Sequence, residues 1–382
     1  MQEYHKRVLF VINRMDIGGA ETMVLNLAQE LRRRGYFVGI ASAAGQLCPS
    51  VHDSGIPHYH MIFNSRSPLV LFRTTLQLRR AVQSGRFQVL NPQSVMTTLL
   101  SWWAISPLFP FWWPRPRDTR LVTTINNINL PSYLPFAAKA LQKLPFAVIF
   151  ESEHERQRLR SAGMSLSRTS VVHCGVYDSP GGSRAYLESQ GVHVASSEFL
   201  IGTAARLCKE KGLDFLLRSV AMAISKNQRI RLLVVGDGEE RSYLESLAHS
   251  LGIHSSAHFL GARSDVMQLL SGIDAYAVTS TYDTLPRAVR EAMMCGKPVV
   301  TVDVGGLSEA VTDGVTGLVV QERSEEAFAQ AMLRLSQDQD LARRMGEQGR
   351  RIARERFGVD RWVDETLKVF GLASAEPDTS CH

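Results

Sequence analysis

The sequence predicts an α/β protein made of two doubly wound, parallel-sheet domains. Three observations predict it. Short apolar runs alternate with amphipathic helical patterns along nearly the whole chain, as in parallel strands covered by helices. That series begins twice, near Arg7 and again near Phe199. The chain has 382 residues, more than one hydrophobic core organises.

In the first series Arg7–Ile12 is a strand and Gly18-Gly19 a turn. Glu21–Arg34 is a helix, with Val24, Leu25, Leu27, Ala28 and Leu31 at helical spacing. Gly35 ends it, and Phe37–Ala43 is the next strand. His58 and His60 alternate on a further strand, and Leu121–Ile125 is another. The second series runs strand Phe199–Ala204, helix Leu213–Ser225, strand Arg231–Val235, helix Glu239–Ser250 and strand His258–Leu260. It continues with helix Asp265–Ser271, strand Ala275–Thr279, helix Leu285–Cys295, and strands Val299–Val302 and Gly317–Val320. Two Rossmann-like domains follow, 1–180 and 181–358, with 359–382 as a last helix and tail. Ser179–Ser197, rich in Ser and Gly at its start, is the expected linker.

One stretch breaks the alternation. Val89–Pro114 carries no charge and includes Trp102, Trp103, Phe109, Phe111, Trp112 and Trp113. Its length would allow a membrane span, but Pro107, Pro110 and Pro114 oppose a continuous helix. Paired tryptophans beside Arg115, Arg117 and Arg120 suit an interfacial anchor. A core helix followed by a tucked aromatic loop is the alternative.

Composition narrows the class. Hydrophobic residues make up 45% of the chain, as in a water-soluble globular protein. Residues 1–180 hold 20 Lys/Arg against 10 Asp/Glu, whereas 181–382 hold 23 against 27. The basic half suits an anionic partner or a solvated surface. With no helix-turn-helix, zinc-finger or aromatic RNA-binding signature, nucleic acid is not expected. The five cysteines are scattered without a Cys-x2-Cys pair, which fits a reducing, cytoplasmic setting. The early apolar run Val8–Ile12 is too short for a secretory leader. No metal site is expected: Asp338-Gln-Asp340 sits in a charged helical stretch and reads as a solvated face.

The chemistry concentrates in four places. In Ala275–Val304 a strand ends in a turn bearing Asp283, and a helix opening at Leu285–Pro286 carries Glu291 before Gly296 stops it. Two carboxylates and free helix-start amides thus meet at the carboxyl edge of a parallel sheet, where such sheets bind ligands. Carboxylates there suit sugar hydroxyls as acceptors. Glu291 also has a purely structural partner in Arg287, one turn earlier. In Arg206-Leu-Cys-Lys-Glu-Lys211-Gly212, two cations follow a strand and precede a helix, the placement of a diphosphate clamp. Gly236-Asp-Gly238 and Phe259-Leu-Gly261, with Arg263 beyond, end two further strands. Gly18-Gly19-Ala-Glu21 ends the first strand of the chain.

The spacing Asp283-x7-Glu291 resembles the Glu-x7-Glu signature of retaining, family 4 glycosyltransferases, with Asp283 in place of the first Glu. The likeness is specific over 199–320, moderate over 7–43 and faint between. It implies a GT-B fold, with two Rossmann-like domains whose parallel sheets face across a cleft and a C-terminal helix crossing back to the first domain. It implies transfer of a sugar from a nucleotide-sugar, UDP- or GDP-linked, with no further cofactor. By resemblance Arg206 and Lys211 bind the donor diphosphate, aided by the main-chain amides of Thr284 and Leu285. Asp283 touches the donor sugar and Glu291 the ribose. Gly236 and Gly238 lie near the nucleotide. The backbone at Gly261 reads the base, and Arg263 either joins it or is a solvent arginine. Gly18 and Gly19 let amides approach a phosphate or acceptor, with Glu21 beside them. The family's mid-domain His is Asn126 here, able to bond a sugar but not to act as an acid. Its Asn-Gly near the linker is His173-Cys174-Gly175. The implied acceptor is a glycan or polyprenyl-linked glycan of surface-polysaccharide (lipopolysaccharide or capsule) assembly, with peripheral contact at the inner membrane face through 102–113. A nucleotide-sugar epimerase, a sugar phosphorylase-like enzyme or a degenerate scaffold protein are the rival readings.

Overall fold

The computed structural model describes residues 6–106, 118–128, 131–179 and 181–373. The chain divides into two compact units. The first is Met1–Cys174 with Asp360–His382, and the second is Gly175–Val359.

The first unit is built on β1 (Arg7–Arg14), β2 (Phe37–Ala43), β3 (His58–His60), β4 (Val89–Pro92), β5 (Arg120–Ile125), β6 (Ala147–Phe150) and β7 (Thr169–Val171). Its helices are α1 (Gly19–Arg33), α2 (Cys48–Asp53), α3 (Pro68–Gly85), α4 (Val95–Ile105), α5 (Leu134–Lys143) and α6 (Glu153–Ser161). The second unit opens with α7 (Arg184–Ser189). It alternates β8 (Phe199–Ala204), α8 (Leu213–Lys226), β9 (Ile230–Val235), α9 (Arg241–Ser250), β10 (Ala257–Phe259), α10 (Val266–Ser271), β11 (Ala275–Val278) and α11 (Arg287–Met294). It ends with β12 (Val299–Val302), β13 (Gly317–Val320), α12 (Glu325–Gln337) and α13 (Gln339–Phe357). α14 (Val359–Phe370) closes the described chain.

Both sheets are parallel and doubly wound. The first runs β3-β2-β1-β4-β5-β6-β7 and the second β10-β9-β8-β11-β12-β13. In each, the strand order reverses beside the first strand, so the next connections leave in opposite directions. That leaves a crevice at the carboxyl ends of β1 and β4 in one unit, and of β8 and β11 in the other. The strands are unbroken apolar runs because helices cover both faces: all six residues of β8 but Ala204 are buried. The two-domain α/β expectation is borne out.

Two expectations change. The segment 179–197 is no free linker: its Leu187, Val192 and Val194 enter the second unit's core, and Arg184 pairs with Asp274. Its apolar residues are too sparse for a periodic signal, yet enough to bury one short helix. The uncharged stretch from Val89 begins as β4 and α4, the latter set by a capping box between Ser94 and Thr97. Leu100 and Ala104 of α4 are core, and Trp103 packs on Phe72 of α3 with ring centroids 5.9 Å apart. The remainder, with Phe109, Phe111, Trp112 and Trp113, lies outside the described residues. Among the described residues no helix is long and apolar enough to cross a membrane.

α14 belongs to the first unit. Arg34 of that unit pairs with Asp360 and Asp364. At the helix's carboxyl end Lys6 Nζ and Tyr36 Oη donate to the carbonyl of Leu372 at 2.6 and 3.1 Å. Arg120 donates to the carbonyls of Phe370 and Gly371. Cations there complement the helix dipole. Phe370 is fully buried. Phe370→Ala should therefore cost about 3–5 kcal/mol, read as a lowered midpoint in urea denaturation.

Candidate functional site

In the second unit the loops after β8 and β11 flank the crevice and are stitched together. Lys211 ends a single 3-10 turn, Lys209–Lys211, and Gly212 caps it. The amide of Thr281 donates to the Glu210 carbonyl at 2.8 Å, and Thr279 Oγ1 to the Lys211 carbonyl at 3.1 Å. Gly212 takes φ +60, and a Cβ there would lie 2.4 Å from the Thr279 carbonyl oxygen. Glycine is thus required for the close approach as well as the turn.

That junction brings Lys211 onto Asp283: Nζ donates to Oδ2 at 2.5 Å. The same oxygen accepts from Ser280 Oγ, and Oδ1 accepts from the Thr284 amide, both at 3.1 Å. Asp283 is 9% exposed. The Thr284 amide, expected to face a ligand, is therefore held by Asp283.

α11 starts two residues later than expected, at Arg287. Leu285 precedes a proline and is pushed out of helical conformation, and Pro286 caps the helix with ψ 133. Leu285 and Thr284 therefore present loop amides rather than helix-start amides. Inside the helix Arg287 Nε donates to Glu291 Oε1 at 2.7 Å. The Glu291 side chain is 8% exposed, so this is not a solvated surface pair.

Further parts of the site lie at the ends of β9 and β10 and earlier in the loop after β8. Gly236, at φ +137, donates its amide to the Gly261 carbonyl at 2.8 Å. A Cβ at Gly236 would stand 1.8 Å from the Ala205 carbonyl oxygen, and one at Gly238 2.3 Å from that of Leu207. These glycines thus pack the β9 turn on the loop that bears Arg206. Arg206 itself is 70% exposed, with only a 3.4 Å contact to Glu239. Arg263 is not a free solvent arginine: it grips Asp265 with two nitrogens and reaches Gln190 at 2.6 Å. Those bonds hold the Asp265 carboxyl well below the usual carboxylate range. Beneath the fold, Tyr276 Oη donates to the Ala204 carbonyl, tying β11 to β8, and burial pushes its phenol up.

The first unit carries the other expected residues. Gly18 caps α1 in extended conformation, and Glu21 folds back so far that a Gly18 Cβ would lie 2.3 Å from its Oε2. Gly19, by contrast, has open space around its Cα. Burial raises the Glu21 carboxyl above its ordinary value. Asn126 follows β5, with both amide atoms out of solvent and unpartnered among the described residues. No cluster of His, Cys, Asp or Glu able to hold a metal is present among the described residues.

Sequence reasoning missed Gly305 and Gly306, after β12. A Cβ on Gly305 (φ +59) would lie 1.7 Å from the Asp283 carbonyl oxygen, and one on Gly306 1.7 Å from that of Thr284. Gly306 also donates its amide to Asp283 at 3.1 Å. The available signal was a second Gly-Gly at a strand end. Gly305→Ala should lower the denaturation midpoint well beyond Gly314→Ala. Gly314 has a similar φ of +71 but open space, so it reports backbone strain alone, about 1–2 kcal/mol.

Residues 188–352 match the family model for glycosyl transferases group 1, and residues 17–179 that for glycosyltransferase family 4. An uncharacterized glycosyltransferase of Methanocaldococcus jannaschii is 27% identical over 186 residues, 48% of this chain and 47% of that protein. The lipopolysaccharide core biosynthesis glycosyltransferase LpsE of Rhizobium meliloti is 28% identical over 170 residues, 44% of this chain and 49% of that protein. The chain thus spans about half the length of these curated relatives. The crystal structure of Anabaena HepE with UDP and glucose superposes with a TM-score of 0.83 at 22% identity, over 96% of this chain and 100% of that one.

Proposed function

The chain belongs to glycosyltransferase family 4 and has the GT-B fold, and from that premise we propose that it transfers a sugar from a nucleoside-diphosphate sugar to a glycan or lipid-linked acceptor, retaining the anomeric configuration. The observation that carries the proposal is the pairing of Lys211 with Asp283, eight residues before the buried Glu291, at the strand reversal between β8 and β11. A nucleoside diphosphate offers both partners that these pairs need: phosphate oxygens for the cations and hydroxyls for the carboxylates.

In this reading Lys211 and Arg206 hold the diphosphate, Glu291 accepts from the ribose hydroxyls, and Asp283 accepts from the sugar. Asn126 is a further sugar contact. Gly236, Gly238 and Gly261 lie beside the nucleotide, the first two by letting the β9 turn pack on the loop that bears Arg206. Arg263, committed to Asp265, acts only by shaping that loop. The acceptor hydroxyl attacks the anomeric carbon from the face the diphosphate leaves. The new C–O bond forms as the bond to the phosphate oxygen breaks, and that oxygen takes the acceptor's proton. Charge gathers on the leaving diphosphate, where Lys211 stabilises it. A UDP-linked hexose is the first donor to try, because the Anabaena neighbour carries UDP and glucose.

Thermal stabilisation against UDP-, GDP-, ADP- and CMP-sugars tests the donor. One nucleotide should raise the midpoint of the wild type and fail to do so for Glu291→Ala; no shift with any of them sinks the reading. With the donor known, Lys211→Ala should slow turnover by about a hundred- to a thousandfold, the scale for one electrostatic donor. A near-normal rate would remove Lys211 from the site.

The acceptor is proposed to be a lipid-linked glycan met at an anionic membrane face. The excess of 10 positive charges in residues 1–180 and the uncharged aromatic stretch support it. Since Trp103 is packed on Phe72, contact is assigned to the part of that stretch beyond α4. Co-sedimentation with anionic vesicles at low salt should be lost in a Trp112→Ala, Trp113→Ala double variant. Indifference of the wild-type protein to such vesicles would overturn this part.

A further inference from the structure

The site's two carboxylates each meet one cation, but the cations are engaged differently. Lys211 shares Asp283 with a hydroxyl and an amide. Arg287 gives Glu291 a single hydrogen bond, from Nε. Its two terminal nitrogens have no protein partner among the described residues. A guanidinium carries five N–H donors in a rigid fork, so four remain available here. The side chain is only 25% exposed and stands at the first residue of α11, where backbone amides also lack helical partners.

We propose that Arg287 is a donor-binding residue that holds the phosphate next to the ribose while keeping Glu291 in place. The inference rests on the donor reading above and deepens it. A nucleoside-diphosphate sugar is linear: base, ribose, first phosphate, second phosphate, sugar. Glu291 is assigned to the ribose, and Asp283 with Lys211 to the sugar end. Arg287 lies between them in sequence, four residues after Asp283 and one turn before Glu291, about 6 Å along the helix axis. The group between ribose and second phosphate is the first phosphate. Nε on Glu291 fixes the carboxylate for two ribose hydroxyls, and the terminal nitrogens present a fork suited to phosphate oxygens. A solvated i,i+4 pair would be worth a few tenths of a kcal/mol and would not require burying Glu291.

The test is calorimetric titration of wild type, Arg287→Met and Arg287→Lys with uridine, UMP and UDP, and with the guanosine series in parallel. Methionine preserves length and helix preference, and the thermal midpoint of each variant reports that it folds. For the base the wild type binds, Arg287→Met should weaken the mono- and diphosphate alike by about tenfold or more, the loss of a hydrogen bond to a charged group. The nucleoside should weaken clearly less, by the share that support of Glu291 alone carries, and Arg287→Lys should recover part of the phosphate-dependent loss. Equal weakening of the nucleoside would make Arg287 only a support for Glu291 and overturn the proposal. So would an unchanged affinity for the monophosphate. Glu291→Ala separates the two readings: it should weaken the nucleoside itself. If the wild type binds neither series, the donor reading fails and this inference falls with it.

Discussion

The Lys211–Asp283 ion pair joins the two loops on which the site depends. β8 and β11 are neighbours, yet their connections leave in opposite directions, so nothing in the sheet itself draws the loops together. The pair, with the bonds from Thr281 to Glu210 and Thr279 to Lys211, closes that gap. Both partners are mostly withdrawn from water, at 27% and 12% exposure. Removing either would leave the other charge partly buried and uncompensated, a larger cost than the net worth of the pair.

Four charges at this crevice form two pairs, Lys211 with Asp283 and Arg287 with Glu291. In the proposed reading a nucleoside diphosphate enters by exchange, the cations turning to phosphate and the carboxylates to hydroxyls. Each group then keeps a partner in both states, which limits the desolvation cost of building a charged site in a half-buried crevice. Arg206, far more exposed, needs no such arrangement and is held only loosely by Glu239.

The parts legible in the sequence were those governed by local pattern. Phe37–Ala43, Phe199–Ala204, Val299–Val302 and Gly317–Val320 were readable to the residue because strands covered on both faces are unbroken apolar runs. Lys211, Asp283 and Glu291 were legible as charges at strand ends, and the Arg287–Glu291 pair as a helix spacing. What was illegible depended on distant chain. One partner of Arg263, Gln190, is 73 residues away. Gly305 and Gly306 matter only because the Asp283 backbone passes over them. The late start of α11 was readable in principle, since Pro286 bars Leu285 from helical conformation, but the apolar pattern outweighed it.

The shorter acid at 283 has a physical account that bears on how phosphate is held. Asp283 accepts from Lys211, Ser280 and the amide of its own successor, a set of bonds that closes the turn on itself. A glutamate would carry its carboxylate one methylene farther out and release the Thr284 amide. Here that amide is occupied, and the Asp283 and Thr284 carbonyls are pressed against Gly305 and Gly306, so the turn cannot easily shift to free it. In the proposed reading, backbone at this turn therefore contributes less to a phosphate cradle than the spacing alone implies. The deficit falls to side chains, and the cation with unpartnered donors nearest the turn on the same helix is Arg287.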